Sequence, residues 1–309
     1  MVLTSILALT DFSLDGDRAL ARAGEIALEH HSVLRIMYLP SGTHPECLDP
    51  DTRLVQTASA MARGLGLTVR AVGTGDYSRS NILLQAEKAK LLVLPLRSEQ
   101  GMLGPWLAGP DAIRFARDSR CPVLLARGAI QRRLRQIVVG VDLTPASHHR
   151  AQFACLLGGD AQVELFHAVS TFDNSPLRAG GIDHHSSTRY RHNCIEQEAR
   201  LQMARMTQSL PAQTVPVVTL ARVGEQAEHL MARLALTDAD LVVVGKSRRH
   251  AATDWLLGST AHDLLAQSPC DVMVVPEDFT FSTLAQQPAP SPRNRAGQRP
   301  PAWFGNWTR

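Results

Sequence analysis

Gln136-Ile137-Val138-Val139-Gly140-Val141-Asp142 is a short apolar run that closes on a carboxylate. The same pattern stands 131 residues earlier, at Ser5-Ile6-Leu7-Ala8-Leu9-Thr10-Asp11. Two more pairs follow in the same order. Ala89-Lys90-Leu91-Leu92-Val93-Leu94-Pro95 matches Ala239-Asp240-Leu241-Val242-Val243-Val244-Gly245, and Cys121-Pro122-Val123-Leu124-Leu125 matches Cys270-Asp271-Val272-Met273-Val274, at offsets of 150 and 149. Buried parallel strands resemble one another because all are continuous Val/Ile/Leu runs. Shared order and near-constant offset go beyond that and indicate a duplicated unit with an insertion early in the second copy.

Between the runs lie amphipathic segments. Strands are expected over 4–10, 33–39, 67–73, 90–95 and 121–126, and again over 135–141, 162–169, 214–221, 240–245 and 271–275. Helices are expected over 15–30, 50–64, 79–88 and 110–119, then 146–156, 188–209, 225–236 and 259–268. Alternating strand and helix with short buried strands gives an α/β protein, its parallel sheet covered on both faces. Right-handed crossovers make each copy a doubly wound, five-stranded module. A chain of 309 residues accommodates two such modules, each of ~140 residues.

Three stretches break the pattern: a basic linker over 127–134, a polar loop over 171–187, and a Pro-, Gln- and Arg-rich tail over 277–309. The expected organisation is a first module over 1–128, a second over 135–277, and a disordered tail over 278–309 that lacks the apolar residues to pack a core.

Composition narrows the function classes. Hydrophobic residues make up 44% and aromatics 5%, so the cores are aliphatic. The net charge of +3 is mildly basic, and no aromatic residues interleave with the basic ones on a strand, so nucleic acid is not an expected partner. Cys47, Cys121, Cys155, Cys194 and Cys270 form no C-x-x-C pair and read as thiols in a reducing compartment. The amino-terminal run is interrupted by Asp11 and reads as a strand rather than a signal peptide. No apolar stretch is long enough to span a bilayer. The expected location is the cytoplasm, with no membrane partner.

In a doubly wound sheet, ligands bind beyond the carboxyl ends of the strands, where the strand order switches. Asp142 closes the first strand of the second module, Gly245 closes its fourth, and Gly258-Ser259-Thr260 opens its last helix. A strand-end glycine lets backbone approach a ligand closely. A Gly-Ser-Thr helix start offers N–H groups and hydroxyls to a phosphate. A carboxylate beside them can accept from an adenine amino group or a ribose hydroxyl.

Gly245-Lys246-Ser247-Arg248, nine residues, then Gly258-Ser259 resembles the Gly-x-x-Gly-x9-Gly-(Ser/Thr) motif of the universal stress protein family. Trp255-Leu256-Leu257-Gly258-Ser259-Thr260-Ala261 and Ser268-Pro269-Cys270-Asp271-Val272-Met273-Val274-Val275 resemble its ending. Val141-Asp142-Leu143-Thr144-Pro145-Ala146-Ser147 resembles its opening, and His167-Ala168-Val169 its second strand. The resemblance implies a tandem member with the adenine nucleotide alpha hydrolase-like fold. It also implies ATP or AMP, with Mg2+ as a candidate companion ion, in the second module only. Val141 and Asp142 would hold adenine, Ala168 would line the base, Val244 and Gly245 would border the ribose, and Arg248, Gly258, Ser259 and Thr260 would wrap the phosphates. Arg248 stands where the motif has its second glycine: its side chain either blocks backbone approach or supplies a cation, with Lys246, Arg249 and His250 as neighbouring cations.

The first module keeps Asp11 and Gly109, but Pro95 replaces the strand-end glycine and Pro110 removes a donor from the helix start. Its fold is expected to survive and its phosphate cradle is not. A Walker reading of Gly245-Lys246-Ser247 fails because position 240 is Asp. Asp183, His184, His185, His192 and Cys194 match no standard metal spacing, so no metal site is expected. Trp303, Phe304 and Trp307 in the tail form a candidate docking patch. With no nucleophile–base pair or carboxylate dyad, a catalyst is not expected. The expected function is a stress-response regulator that binds a nucleotide and acts through a protein partner. A scaffold with both pockets degenerate and a slow ATP hydrolase are the competing readings. The resemblance further implies that the two fifth strands, as sheet edges, pair within the chain; a homodimer of the tandem unit is compatible with it.

Overall fold

A computed structural model describes residues 3–40, 47–96, 110–127, 133–169, 184–210, 215–246 and 258–280; for 110–111 and 184–193 the description is of the backbone alone. The first half runs β1 (Ser5–Thr10), α1 (Leu14–Glu29), β2 (Val33–Tyr38), α2 (Pro50–Leu65), β3 (Val69–Ala71), α3 (Arg79–Ala86), β4 (Leu91–Pro95), α4 (Pro110–Asp118) and β5 (Val123–Ala126). The second runs β6 (Gln136–Gly140), α5 (Pro145–Gly158), β7 (Gln162–Val169), α6 (His184–Gln208), β8 (Val218–Val223), α7 (Gln226–Thr237), β9 (Leu241–Lys246), α8 (Ser259–Gln267) and β10 (Asp271–Pro276). The elements follow the expected order, but α6 begins at His184, inside the expected loop over 171–187 and ahead of the expected start at 188, and one strand is displaced. β8 begins at Val218 rather than near 214, because Pro216 has no N–H for a ladder; its carbonyl instead accepts from the Gln162 side chain at 2.7 Å.

The ten strands among the described residues form one sheet, in the order β3-β2-β1-β4-β5-β10-β9-β6-β7-β8. Each half has its strands in the doubly wound order, and neighbours within a half run parallel. The halves meet where β5 and β10 pair antiparallel, Leu124 opposite Met273. The two fifth strands are thus interior strands of a continuous sheet.

Two apolar layers cover the sheet, one on each face, and each runs through both halves. Ile6, Ala8, Leu34, Ile137, Val139 and Met273 turn to the face packed by α1, α2, α5 and α6. Leu7, Leu9, Leu92, Val138, Val242 and Val272 turn to the face packed by α3, α4, α7 and α8. Strand alternation sorts neighbours to opposite faces, and helices on both sides make each face apolar.

Polar groups also join the halves. Arg22 of α1 and Asp271 of β10, 7% and 1% exposed, form an ion pair with Nε 2.7 Å from Oδ2. The Arg127 amide donates to the other Asp271 oxygen at 2.8 Å. The Arg127 guanidinium donates to the carbonyls of Leu265, Ala266 and Ser268 at the carboxyl end of α8. Lys246 does the same for α4, donating to Ala116 at 3.0 Å, Arg117 at 2.8 Å and Ser119. Each cation sits where a helix leaves carbonyls unpaired and the dipole is negative.

Cys121, Cys155 and Cys270 are buried, Cys47 is half-buried and Cys194 is exposed. No described helix is long and apolar enough to cross a membrane. The linker at 128–132, most of the 171–187 loop and the tail beyond 280, with Trp303, Phe304 and Trp307, lie outside the described residues.

Candidate functional site

The strand order reverses direction beside β6 and β9, so their carboxyl ends frame a crevice in the second half. A cavity of about 160 Å³ opens there, lined by residues that include Gly140, Asp142, Val244, Gly245, Gly258 and Thr260.

The β6–α5 turn aims Asp142. Leu143 takes a left-handed conformation (φ 61°), which bends the chain so that Thr144 caps α5. Asp142 Oδ1 accepts from the Thr144 hydroxyl at 2.6 Å and the Thr144 amide at 3.2 Å. Desolvation by its neighbours works against the charged form, but the Thr144 hydroxyl and the Arg150 guanidinium outweigh it and hold the carboxyl below its ordinary range. The side chain of Asp142 is exposed.

The same turn is built in the first half. Phe12 is left-handed (φ 58°), and Asp11 accepts from the Ser13 hydroxyl at 2.5 Å. There the resemblance between the halves ends. Phe12 stacks on Tyr38 with ring centroids 5.5 Å apart, Tyr38 meets Tyr77 edge-on at 5.3 Å, and Arg53 lies 4.4 Å over the Phe12 ring. Asp11 is buried. An aromatic cluster thus packs beside the acidic strand end of the first half.

Of the residues read from the sequence, Asp142, Val244, Gly245, Gly258 and Thr260 come together around the cavity. Val141 is fully buried beneath it, with its carbonyl accepting from His167 Nδ1 at 2.7 Å. Ala168, at the end of β7, is half-buried, and Ser259 is exposed on the first turn of α8. Arg248, Arg249 and His250 lie outside the described residues. Gly258 is the N-cap of α8 and supplies no side-chain cap, so the N–H groups of the first turn keep their donor capacity.

Lys246, read from the sequence as a cation neighbouring Arg248, lines the cavity with its ammonium turned elsewhere. Alternation along β9 turns it to the same face as Val242 and Val244, toward α4, whose carbonyls take its ammonium.

Among the described residues, Arg150 also brings a cation to the crevice, and the motif reading passed over it. It comes from α5 and is 7% exposed. Its Nη1 donates to the Gly140 carbonyl at 2.6 Å, and its guanidinium lies against Gly245, where a Cβ would come within 2.5 Å of Cζ. Asp142 and Glu277 both bear on it electrostatically, while burial pushes its pKa down. The sequence did hold a signal. Ser147, Arg150, Ala151, Ala154 and Gly158 recur at helical spacing on the buried face of α5, so Arg150 interrupts an apolar stripe. The corresponding position in the first half is Ala19.

Among the described residues no group of three or more His, Cys, Asp or Glu side chains is placed to hold a metal ion. Of the metal-site candidates, only the Cys194 side chain is among the described ones.

The sequence model of the universal stress protein family matches residues 133–276. Universal stress protein A homolog 1 of Coxiella burnetii (strain RSA 493 / Nine Mile phase I) is 28% identical over 144 residues, covering 46% of this chain and 95% of its own length. The crystal structure of a universal stress protein from Archaeoglobus fulgidus DSM 4304 superposes with a TM-score of 0.64 at 13% identity, covering 90% of this chain and 100% of its own. A functionally unknown protein from Pseudomonas aeruginosa PAO1 superposes with a TM-score of 0.59 at 22% identity, over 89% and 92%. At these identities the two structures speak to fold, and they do so across both halves. Residues 133–276 thus match the universal stress protein family, and the fold of the whole chain is that of the two superposed structures.

Proposed function

We propose that this chain is a nucleotide-responsive regulatory protein of the stress-response type, with an ATP or AMP site in its second half and none in its first. The first half, 1–128, is read as a degenerate universal stress protein module and 135–277 as the ligand-taking one. The observation that carries this reading is the convergence of Asp142, Val244, Gly245, Gly258 and Thr260 on one cavity at the switch point. Val141 and Ala168 would back the adenine, and Arg248, Ser259 and Thr260 would approach the phosphates. Gly258 has open space where a Cβ would stand, which suits close approach of a phosphate to the α8 N-terminus. Occupancy would alter the surface over 245–258 that a protein partner reads. Cytoplasmic action and assembly into a homodimer belong to the same proposal.

The test is thermal shift and equilibrium dialysis of the full chain with AMP, ATP and ATP–Mg2+, beside Gly258→Arg. Saturable binding that Gly258→Arg abolishes is expected. No binding to the wild-type chain at millimolar nucleotide would overturn the reading.

One observation favours a second reading, a scaffold without a small-molecule input. The cavity of about 160 Å³ is small, with Arg150 lying over Gly245, whereas ligand pockets commonly measure ~300–1,000 Å³. Absence of any nucleotide effect would select it. Phosphate release above the Gly258→Arg control would instead indicate a slow hydrolase.

A further inference from the structure

The strand-end glycine of β9 leaves a notch, and Arg150 fills it. A Cβ at Gly245 would come within 2.5 Å of the guanidinium Cζ. The guanidinium reaches the notch from α5 and is almost wholly buried. The equivalent position in the first half is Ala19, also buried, so the fold does not demand a long side chain there. Gly245 and Arg150 both line the cavity of about 160 Å³. The guanidinium therefore takes up room that a bound molecule would need. What remains is small beside the ~300–1,000 Å³ of common ligand pockets.

The seat in the notch is a poor one for a charge. Nη1 donates to the Gly140 carbonyl at 2.6 Å, while Nε is buried without a hydrogen-bond partner. A guanidinium carries several N–H donors, and a buried charged donor with no acceptor is costly. The outward direction is more favourable. Asp142 and Glu277 line the same cavity, are exposed, and attract Arg150 electrostatically, although each has other contacts as well. Lys246 also lines the cavity, but its ammonium stays on the carbonyls of α4. Side-chain torsions alone carry a guanidinium between such positions, with no change of backbone.

We propose that Arg150 is a gate. Seated against Gly245 it shuts the crevice, and swung out towards Asp142 and Glu277 it admits a purine nucleoside. The proposal rests on the reading of the second half as the ligand-binding one and names what controls entry there. Adenosine is the decisive probe: it has no phosphate, so removing the cation changes the room available and not the attraction for an anion.

The experiment measures adenosine affinity of the full chain and of Arg150→Ala by calorimetry, with AMP titrated into the wild type alongside. It also follows solvent exchange of the Arg150 Nε–H in the 15N-labelled wild type, free and saturated with adenosine. Arg150→Ala should bind adenosine ~10–100-fold more tightly, the factor by which an open form populated at ~1–10% weakens apparent affinity. Adenosine should speed the Nε–H exchange, because a guanidinium held outside the notch meets water. Should Arg150→Ala fail to fold, the exchange rate still decides. Equal or weaker adenosine binding by Arg150→Ala, or slower Nε–H exchange in the complex, would overturn the gate, and the nucleotide reading would stand on AMP binding to the wild type. Tighter adenosine binding by Arg150→Ala with no AMP binding to the wild type would keep the gate and overturn the nucleotide reading. No binding to either protein overturns both.

Discussion

The ammonium of Lys246, at the end of β9, donates to the carbonyl of Arg117 in the last turn of α4 at 2.8 Å. The residue next to the glycine of the crevice is thereby fastened to the other half of the chain. Its immediate neighbour Gly245 faces Arg150, so one peptide separates the cavity from the contact between halves.

Lys246→Met keeps the length of the side chain and removes the donor. Carbonyls of Ala116, Arg117 and Ser119 would lose their partner in a buried place. The expected loss is ~1–3 kcal/mol, read as a lower urea midpoint with unchanged slope. An unchanged midpoint would show that the contact adds nothing to stability.

Burial pulls the pKa of Lys246 down from the ordinary 10.5 to about 8. Between those values the unfolded chain binds more protons at this position than the folded one, so stability rises with pH. Relative to Lys246→Met, the wild type should therefore gain stability as pH climbs from 8 towards 10.5, by at most ~3 kcal/mol. A difference that is flat or falls over that range would contradict the shift.

Asp271→Ala removes one of the two carboxylates on the buried Arg22 guanidinium and the acceptor of the Arg127 amide, while Glu25 still pairs with Arg22. The expected loss is ~1–3 kcal/mol. The double variant Arg22→Met/Asp271→Leu should recover much of that loss, because an apolar pair of similar volume has no desolvation penalty. A double-mutant cycle by chemical denaturation measures the coupling. Additive losses would mean that the two residues act independently.

Because each apolar layer runs through both halves, the halves should unfold together. Calorimetry should show one transition whose calorimetric and van't Hoff enthalpies agree. Two resolved transitions would show that β5 and β10 join units of separate stability.

Much of this architecture can be read from the residues. The strands are continuous apolar runs, their order repeats, and Ser13 and Thr144 cap helices directly after the acidic strand ends. The convergence of Asp142, Gly245 and Gly258 follows from the doubly wound topology once the strands are placed. What the sequence withheld depends on rotation about an element. Arg150 faces the crevice only because α5 packs its Ser147–Ala151–Ala154 stripe on the sheet, and Lys246 faces α4 only through its register in β9. The aromatic cluster of the first half brings together Phe12, Tyr38 and Tyr77 from three separate segments, which no local pattern announces.

The antiparallel junction of β5 and β10 has a consequence for growth. It consumes both strand borders at the centre and leaves β3, three residues long, and β8, six, as the terminal strands of the sheet. Strand-by-strand lengthening into a polymer would have β8 as its longer template, where Val218 is 44% exposed. A chain that already contains its own pairing has converted the adhesive border of a single unit into interior, and any larger assembly has to recruit a different surface.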